Sequence, residues 1–167
     1  MDPTTPQAGS LYAWVKKIPA SKTTLPDGFL NRSKYFFWKL YTPLHQHFRD
    51  AFLYLGIVKH TKRQDFILGT ISPNISIQEF IEPLVSKGFG NHFIAWKEEG
   101  EIIGLRYVPN FERQYHLRIF ADKEIRGHYE YTPECHPILH MNKVDFKDGR
   151  EFFSSFFNQN HFIPHKH

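Results

Sequence analysis

Apolar and polar residues alternate along residues 115–120 and again along residues 126–131. A period of two is typical of β-strands whose two faces differ. The polar stretch 122–124 separates the two runs and predicts a hairpin with a three-residue loop. A two-residue loop at 122–123 would mix apolar and charged side chains on both faces. The loop has no Gly or Asn, so Asp122 or Lys123 is expected to take the positive φ that such turns need.

In this register the two faces of the hairpin separate by chemistry. The predicted pairs are Leu117 with Tyr129, Arg118 with His128, and His116 with Glu130. The apolar face carries Tyr115, Leu117, Ile119, Tyr129 and Tyr131. The other face carries His116, Arg118, His128 and Glu130. We expect the first face to be core. We expect the second to be either solvent-exposed, as is common for antiparallel sheets, or a functional site.

Two imidazoles, a guanidinium and a carboxylate on one face predict acid–base chemistry. Glu130 would favour the imidazolium form of His116, and Arg118 would disfavour it at His128, so the two histidines could differ in protonation. General acid–base attack on a phosphodiester needs such an acid and base beside a fixed cation. In this hypothesis His116 and His128 are the catalytic pair, Glu130 orients His116 and Arg118 binds the phosphate.

A second hairpin extends the polar face. Residues 91–97 and 101–108 read as two strands around the turn 98–100, which sets His92 opposite Arg106. If the second of these strands lies beside the strand that begins at Gln114, Arg106 pairs with His116. The result is a basic sheet face with imidazoles, on which Arg118, Arg106 and His92 are candidate ligand-binding residues for phosphate.

Helical periodicity marks four other segments. They are a basic aromatic stretch at 31–41, an apolar stripe from Leu44 to Leu55 with Thr42 as N-cap, a stripe at 77–85 behind a Ser76/Glu79 capping box, and a short helix opened by residues 148–151. Pro83 is expected to kink the third helix or end it early. With further strands at 57–60 and 65–71, these elements predict an α+β fold. Its core is a meander of four to six mostly antiparallel strands with two or three helices packed on one face.

The charge balance permits an anionic partner. The net charge is +4 and the pI is about 9.1. The densest basic cluster lies at the predicted turn 61–63 and the end of the strand before it, and consists of Lys59, His60, Lys62 and Arg63. This turn is either a solvated loop or a further ligand-binding element.

The segment 132–140 carries the sequence's metal-ligand candidates. Cys135 with His140, or His136 with His140, has a spacing that a metal could use, with His128 or Glu134 as a further ligand. The chain has one cysteine, however, and lacks the paired Cys and His ligands of strong zinc motifs. We therefore expect no metal and no cofactor.

Length and composition predict one domain. The chain has 167 residues, 41% of them hydrophobic and 23% charged. We expect a Pro/Thr-rich tail or linker at 1–30, the domain at 31–158 and a histidine-containing tail at 159–167. No apolar run approaches the roughly 20 residues of a membrane span, and no signal-peptide pattern opens the chain. The expected location is cytoplasmic, without a membrane partner.

Three functions fit these patterns, and no nucleotide-binding, metalloprotease or serine-hydrolase motif narrows them. We favour binding of an anionic partner, nucleic acid or a phosphate-bearing ligand, through the His/Arg sheet face. One alternative is a protein-interaction domain without a ligand site. The other is a metal-independent phosphodiesterase or ribonuclease that uses the histidine pair.

Overall fold

The computed structural model describes residues 8–23, 25–41, 44, 51–52, 54–56, 66–92, 98–141 and 147–165. The described α-helices are α1 (Ala8–Val15), α2 (Phe29–Tyr41), α3 (Ile77–Ser86), α4 (Pro137–Met141) and α5 (Arg150–Ser154). The described strands are β1 (Phe66–Ile71), β2 (Gly90–Asn91), β3 (Glu101–Tyr107), β4 (Arg113–Phe120), β5 (Glu124–Tyr131) and β6 (Phe162–Pro164).

The strands form one antiparallel sheet in the order β2-β3-β4-β5-β1-β6. Strands β2 to β5 follow one another as the predicted meander. Strand β1 then pairs with the outer edge of β5, and β6 pairs with β1. The predicted α+β fold with a mostly antiparallel sheet is confirmed.

The register of the central hairpin differs from the prediction by two residues. Leu117 lies opposite Gly127, Arg118 opposite Arg126, and His116 opposite His128. The predicted pairs are wrong because the three-residue loop is 121–123, one position earlier than expected. Lys123 takes the positive φ, at 70°. Because the error is two residues, every side chain keeps its predicted face.

Gly127 explains why this register packs well. A Cβ atom at this position would lie 2.7 Å from Cε2 of Phe153 and 2.9 Å from Cδ1 of Leu68. Only a glycine opposite Leu117 lets the Phe153 ring lie against the middle of the sheet. The apolar face is therefore closed by rings, and Tyr115 also stacks on Phe152 with 3.5 Å between ring centroids.

The register predicted for the second hairpin is also wrong by two residues. Arg106 lies opposite Gly90 instead of His92, and the backbone N–H of His92 donates to Gly104 O at 3.0 Å. The predicted pairing of Arg106 with His116 across β3 and β4 is confirmed.

The helix predictions are confirmed where the structure describes them. The segment predicted at 31–41 is α2, and α3 begins with the Ser76/Glu79 capping box. Helix α3 continues through Pro83 to Ser86, so the proline does not end it early. Most of the helix predicted from Thr42 to Leu55, and the strand predicted at 57–60, lie outside the described residues.

A lysine joins the central hairpin to α3. The Lys123 ammonium donates to Pro73 O at 2.7 Å and to Ile75 O at 2.8 Å, just before the α3 N-cap. The backbone N–H of Ile71 donates to Lys123 O at 3.0 Å. The loop of one hairpin thus supports the turn between β1 and α3.

Both ends of the described chain contact the sheet region. Val15 and Ile18 are buried in the hydrophobic core, and Ala20 forms a parallel bridge with Asn91. At the other end β6 pairs with β1. The boundaries predicted at 31 and 158 stay a prediction. Among the described residues no helix is both long and apolar enough to cross a membrane.

Candidate functional site

The polar face of β3, β4 and β5 is buried. His116 is 3% exposed, Arg118 and His128 are 0% exposed, and Glu130 is 4% exposed. The face is therefore not the solvated side of a half-buried sheet. A buried polar group is costly unless it is paired or uncharged, so the arrangement of charges on this face is informative.

One end of the face is an arginine end, formed by Arg118, Arg126, Glu98, Glu101 and Glu124. Arg118 and Arg126 lie directly opposite each other, a placement that repels unless it is compensated. Glu98 bridges them, with 3.0 Å from each carboxylate oxygen to one guanidinium. Glu101 lies 2.5 Å from Arg118, and Glu124 lies 2.5 Å from Arg126. Three carboxylates thus neutralise two guanidinium groups.

The other end is a histidine end, formed by His116, His128, Glu130 and His140. Glu130 Oε1 lies 3.4 Å from His116 Nε2 and 3.2 Å from His128 Nε2. Its other oxygen, Oε2, lies 3.2 Å from His140 Nδ1, on α4. One carboxylate therefore contacts three imidazoles. The geometry follows from the register, since His116 and His128 are cross-strand partners whose rings stack at 5.0 Å between centroids.

Two further side chains border the histidine end. Gln114 Nε2 donates to Glu130 Oε1 at 3.0 Å. The ring of His92 meets the ring of His116 edge-on, with 4.5 Å between centroids. Both residues lie next to the group, and Gln114 fixes the position of the carboxylate.

The protonation expected for His116 is wrong. Burial, and then the nearby His92, lower the pKa of His116 well below its usual 6.5, and these outweigh the opposite influence of Glu130. His116 is therefore a neutral imidazole at neutral pH. Within the part of the chain that the structure describes, neither of its ring nitrogens makes a hydrogen bond.

Glu130 and His140 form the charged pair of the histidine end. Burial alone would raise the pKa of Glu130, but His140 and the hydrogen bonds to the carboxylate lower it well below 4.5. Burial alone would lower the pKa of His140, but the charge of Glu130 and its hydrogen bond raise it above 6.5. The carboxylate is thus ionised beside the neutral ring of His116.

A third group on the polar face consists of Arg106, Glu134 and Thr23, whose side chains are joined by hydrogen bonds. Arg106 donates to both oxygens of Glu134, at 3.1 and 2.8 Å, and Thr23 donates to Glu134 Oε1 at 2.7 Å. Burial alone would raise the pKa of Glu134, but the charge and hydrogen bonds of Arg106 lower it below 4.5. Arg106, predicted to bind a ligand, is engaged by a carboxylate of its own chain.

The structure brings together a set of potential metal ligands that the sequence did not single out as such. One ligand atom each from His116, His128 and Glu130 lies within 4.8 Å of the other two. Across the described ranges no other three His, Cys, Asp or Glu side chains form such a group. The sequence-based candidates Cys135, His136 and His140 therefore do not form one. His140 contacts Glu130, whereas His136 lies 3.8 Å from Glu112.

Of the other site residues predicted from the sequence, some lie on or beside the polar face and the rest lie outside the described residues. His92, Arg106, His116, Arg118, His128 and Glu130 lie on or beside the face as predicted. Lys59, Lys62 and Arg63 lie outside the described residues. Sequence reasoning missed Gln114, although the alternation that marks His116 also places it on this face. It also missed Glu98 and Glu101, and the pairing of Glu134 with Arg106, for which no local pattern gives a signal.

No protein-family model, curated protein or solved structure matches this chain. The chemistry of the site therefore carries the functional inference.

Proposed function

We propose that this protein binds one divalent metal ion, with zinc as the best fit, through His116, His128 and Glu130. The observation that carries the proposal is the buried group of two imidazoles and one carboxylate, with ligand atoms within 4.8 Å of one another. Two histidines and a glutamate are a known zinc ligand set that leaves a further coordination position open.

Two of the three separations between ligand atoms support a tetrahedral ion, and all three are within 4.8 Å. Zinc bonds nitrogen and oxygen at about 2.0–2.1 Å, so neighbouring tetrahedral ligand atoms lie about 3.3 Å apart. Glu130 Oε1 lies 3.4 Å from His116 Nε2 and 3.2 Å from His128 Nε2. These contacts have the separation of ligands that share one ion.

The protonation states also support it. Metal ligands must be deprotonated imidazoles and carboxylates. The pKa of His116 is lowered by burial and the pKa of Glu130 is lowered by His140, so both groups are ready to bind a cation. Within the described chain neither ring nitrogen of His116 makes a hydrogen bond. A buried polar atom without a hydrogen bond calls for an explanation, and a bound metal ion would supply one.

Outer contacts would hold the carboxylate in place. Gln114 donates to Glu130 Oε1, and His140 Nδ1 lies 3.2 Å from Oε2. Such partners of a ligating group orient it and raise metal affinity.

A bound metal ion would also offer a way to bind the anionic partner favoured by the sequence. Arg106 and Arg118 are each paired with carboxylates of the chain, so the open position of the ion would be the attractive point for a phosphate-bearing ligand. The histidine-pair phosphodiesterase is the competing function, because the two rings lie 5.0 Å apart. The two proposals exclude each other, since a histidine that ligates a metal cannot act as the acid or base.

The test is metal titration of the full chain after chelator treatment. Visible absorption of added Co²⁺, followed by displacement with Zn²⁺, is expected to show one tight site. We expect His116→Ala, His128→Ala and Glu130→Gln each to weaken binding by more than about 100-fold, since loss of outer partners alone costs about 10–100-fold.

The chain has 11 histidines, so a matched control is needed. His136→Ala and His161→Ala change histidines outside the group and should leave the tight site unchanged. Circular dichroism checks that each variant is folded. Absence of a tight site, or equal loss in the control variants, would rule out the proposal. Phosphodiester cleavage that survives the chelator would favour the histidine pair.

A further inference from the structure

Helix α2 exposes its apolar side chains. Five large hydrophobic residues of this helix are 59–88% exposed: Phe29, Leu30, Phe36, Phe37 and Leu40. At 3.6 residues per turn they occupy one arc of about 120°. They form an apolar stripe, interrupted by the exposed Ser33, whose hydroxyl donates to Phe29 O, on a helix that has no buried residue.

The apolar stripe of α2 is therefore more exposed than the opposite side of the helix. Asn31, Tyr35 and Trp38, on the side away from the stripe, are only partly exposed, whereas the apolar stripe is open. A helix that only covers a core turns its apolar stripe inward. In α3 of the same chain Ile77, Phe80, Ile81 and Leu84 are buried. The open stripe of α2 indicates a binding surface.

The charges of α2 indicate its partner. Its 13 residues include Arg32, Lys34 and Lys39 and no acidic residue. By helical position Arg32 and Lys39 lie along one edge of the stripe and Lys34 lies near the other edge. Long basic side chains at the edges of an apolar, aromatic stripe can reach lipid phosphates while the rings enter the acyl boundary.

We propose that α2 binds the surface of a membrane that contains anionic lipids, with its axis parallel to the surface. The apolar stripe supplies the buried area, and the three basic residues supply the preference for negative headgroups. The helix does not span the bilayer, because 13 residues cover about 20 Å and the hydrocarbon core is about 30 Å thick. This proposal is independent of metal binding.

The test is co-sedimentation of the full chain with vesicles. We expect binding to phosphatidylcholine vesicles that contain phosphatidylserine, weaker binding to pure phosphatidylcholine, and a decrease as salt rises. Phe36→Ser/Phe37→Ser should weaken binding at least about tenfold, because burial of one phenylalanine ring exceeds that factor in an equilibrium constant. Lys34→Gln/Lys39→Gln should weaken the preference for phosphatidylserine, because only Arg32 of the three basic residues remains; an unchanged preference would contradict the role of these charges.

Ile163→Ser is the matched control, since Ile163 is an exposed apolar residue on β6 outside α2. It should bind vesicles like the unchanged protein. Failure to sediment with anionic vesicles, or unchanged binding in the double Phe variant, would overturn the proposal. A concentration-dependent dimer in light scattering, lost in the double Phe variant and without vesicle binding, would assign the stripe to a second copy of the chain instead.

Discussion

The arginine end and the histidine end of the buried sheet face lie on the same two strands, yet they compensate their charges differently. At the arginine end three carboxylates surround two guanidinium groups. At the histidine end one carboxylate contacts three imidazoles. A buried arginine keeps its proton and must be matched within the fold. A buried imidazole can lose its proton and stay without a hydrogen bond, as the lowered pKa of His116 and its ring nitrogens indicate. Only the histidine end therefore has ligand atoms to offer.

The largest expected effect is a difference in unfolding free energy between an apolar replacement at the arginine end and one at the histidine end. In chelator-treated protein, Arg118→Met should lower the free energy of unfolding by about 3–5 kcal/mol, because it leaves Glu101 buried without its cation. His116→Leu should change it by less than about 1.5 kcal/mol, because it removes a neutral ring without a hydrogen bond. Urea unfolding measures both. The added change Glu101→Leu should recover most of the Arg118→Met loss, and equal losses for the two single variants would contradict the comparison.

A second, smaller effect on the unfolding free energy tests whether the pairing of Arg106 with Glu134 also stabilises the fold. Glu134→Gln should lower the free energy of unfolding by about 1.5–3 kcal/mol at neutral pH, because it removes the charge that Arg106 binds. The pKa of Glu134 is lowered in the folded state, so its ionised form stabilises the fold above the unfolded pKa. That stabilisation is lost as pH falls below about 4.5.

The check is the difference in unfolding free energy between the unchanged protein and Glu134→Gln across this acidic range. The difference should shrink as pH falls. A difference that stays constant would mean that ionisation of Glu134 does not contribute to stability.

The smallest expected effect is at the edge of the arginine end. The Glu98 side chain is 45% exposed, although it bridges both arginines. Glu98→Gln should therefore cost less than about 1 kcal/mol, since water screens exposed pairs. Glu101→Gln is the matched buried change and should cost more in the same urea unfolding experiment. The reverse order would show that the bridge, and not burial, dominates this end.

The faces of the central hairpin could be predicted because side-chain alternation depends on local backbone geometry alone. Its register could not, because Gly127 lies opposite Leu117 to make room for Phe153, which is distant in sequence. The positive φ at Lys123 could be narrowed to Asp122 or Lys123 from the sequence, because the loop contains no glycine or asparagine.

The burial of the polar face could not be predicted from the hairpin. The residues that pair its charges come from distant positions: Thr23, Glu98, Glu134 and His140. None of them belongs to a periodic pattern that points to β4 or β5. For the same reason the sequence places its metal-ligand candidates in segment 132–140. Of these, His140 contacts Glu130 from outside the group.

The ammonium of Lys123 has a consequence for local unfolding. It bonds the carbonyl oxygens of Pro73 and Ile75 from the tip of the β4–β5 hairpin, so the tip cannot open without releasing the turn before α3. Backbone amides of these two regions, which are about 50 residues apart in the chain, should therefore exchange with solvent deuterium at a shared rate, as parts of one cooperative unit.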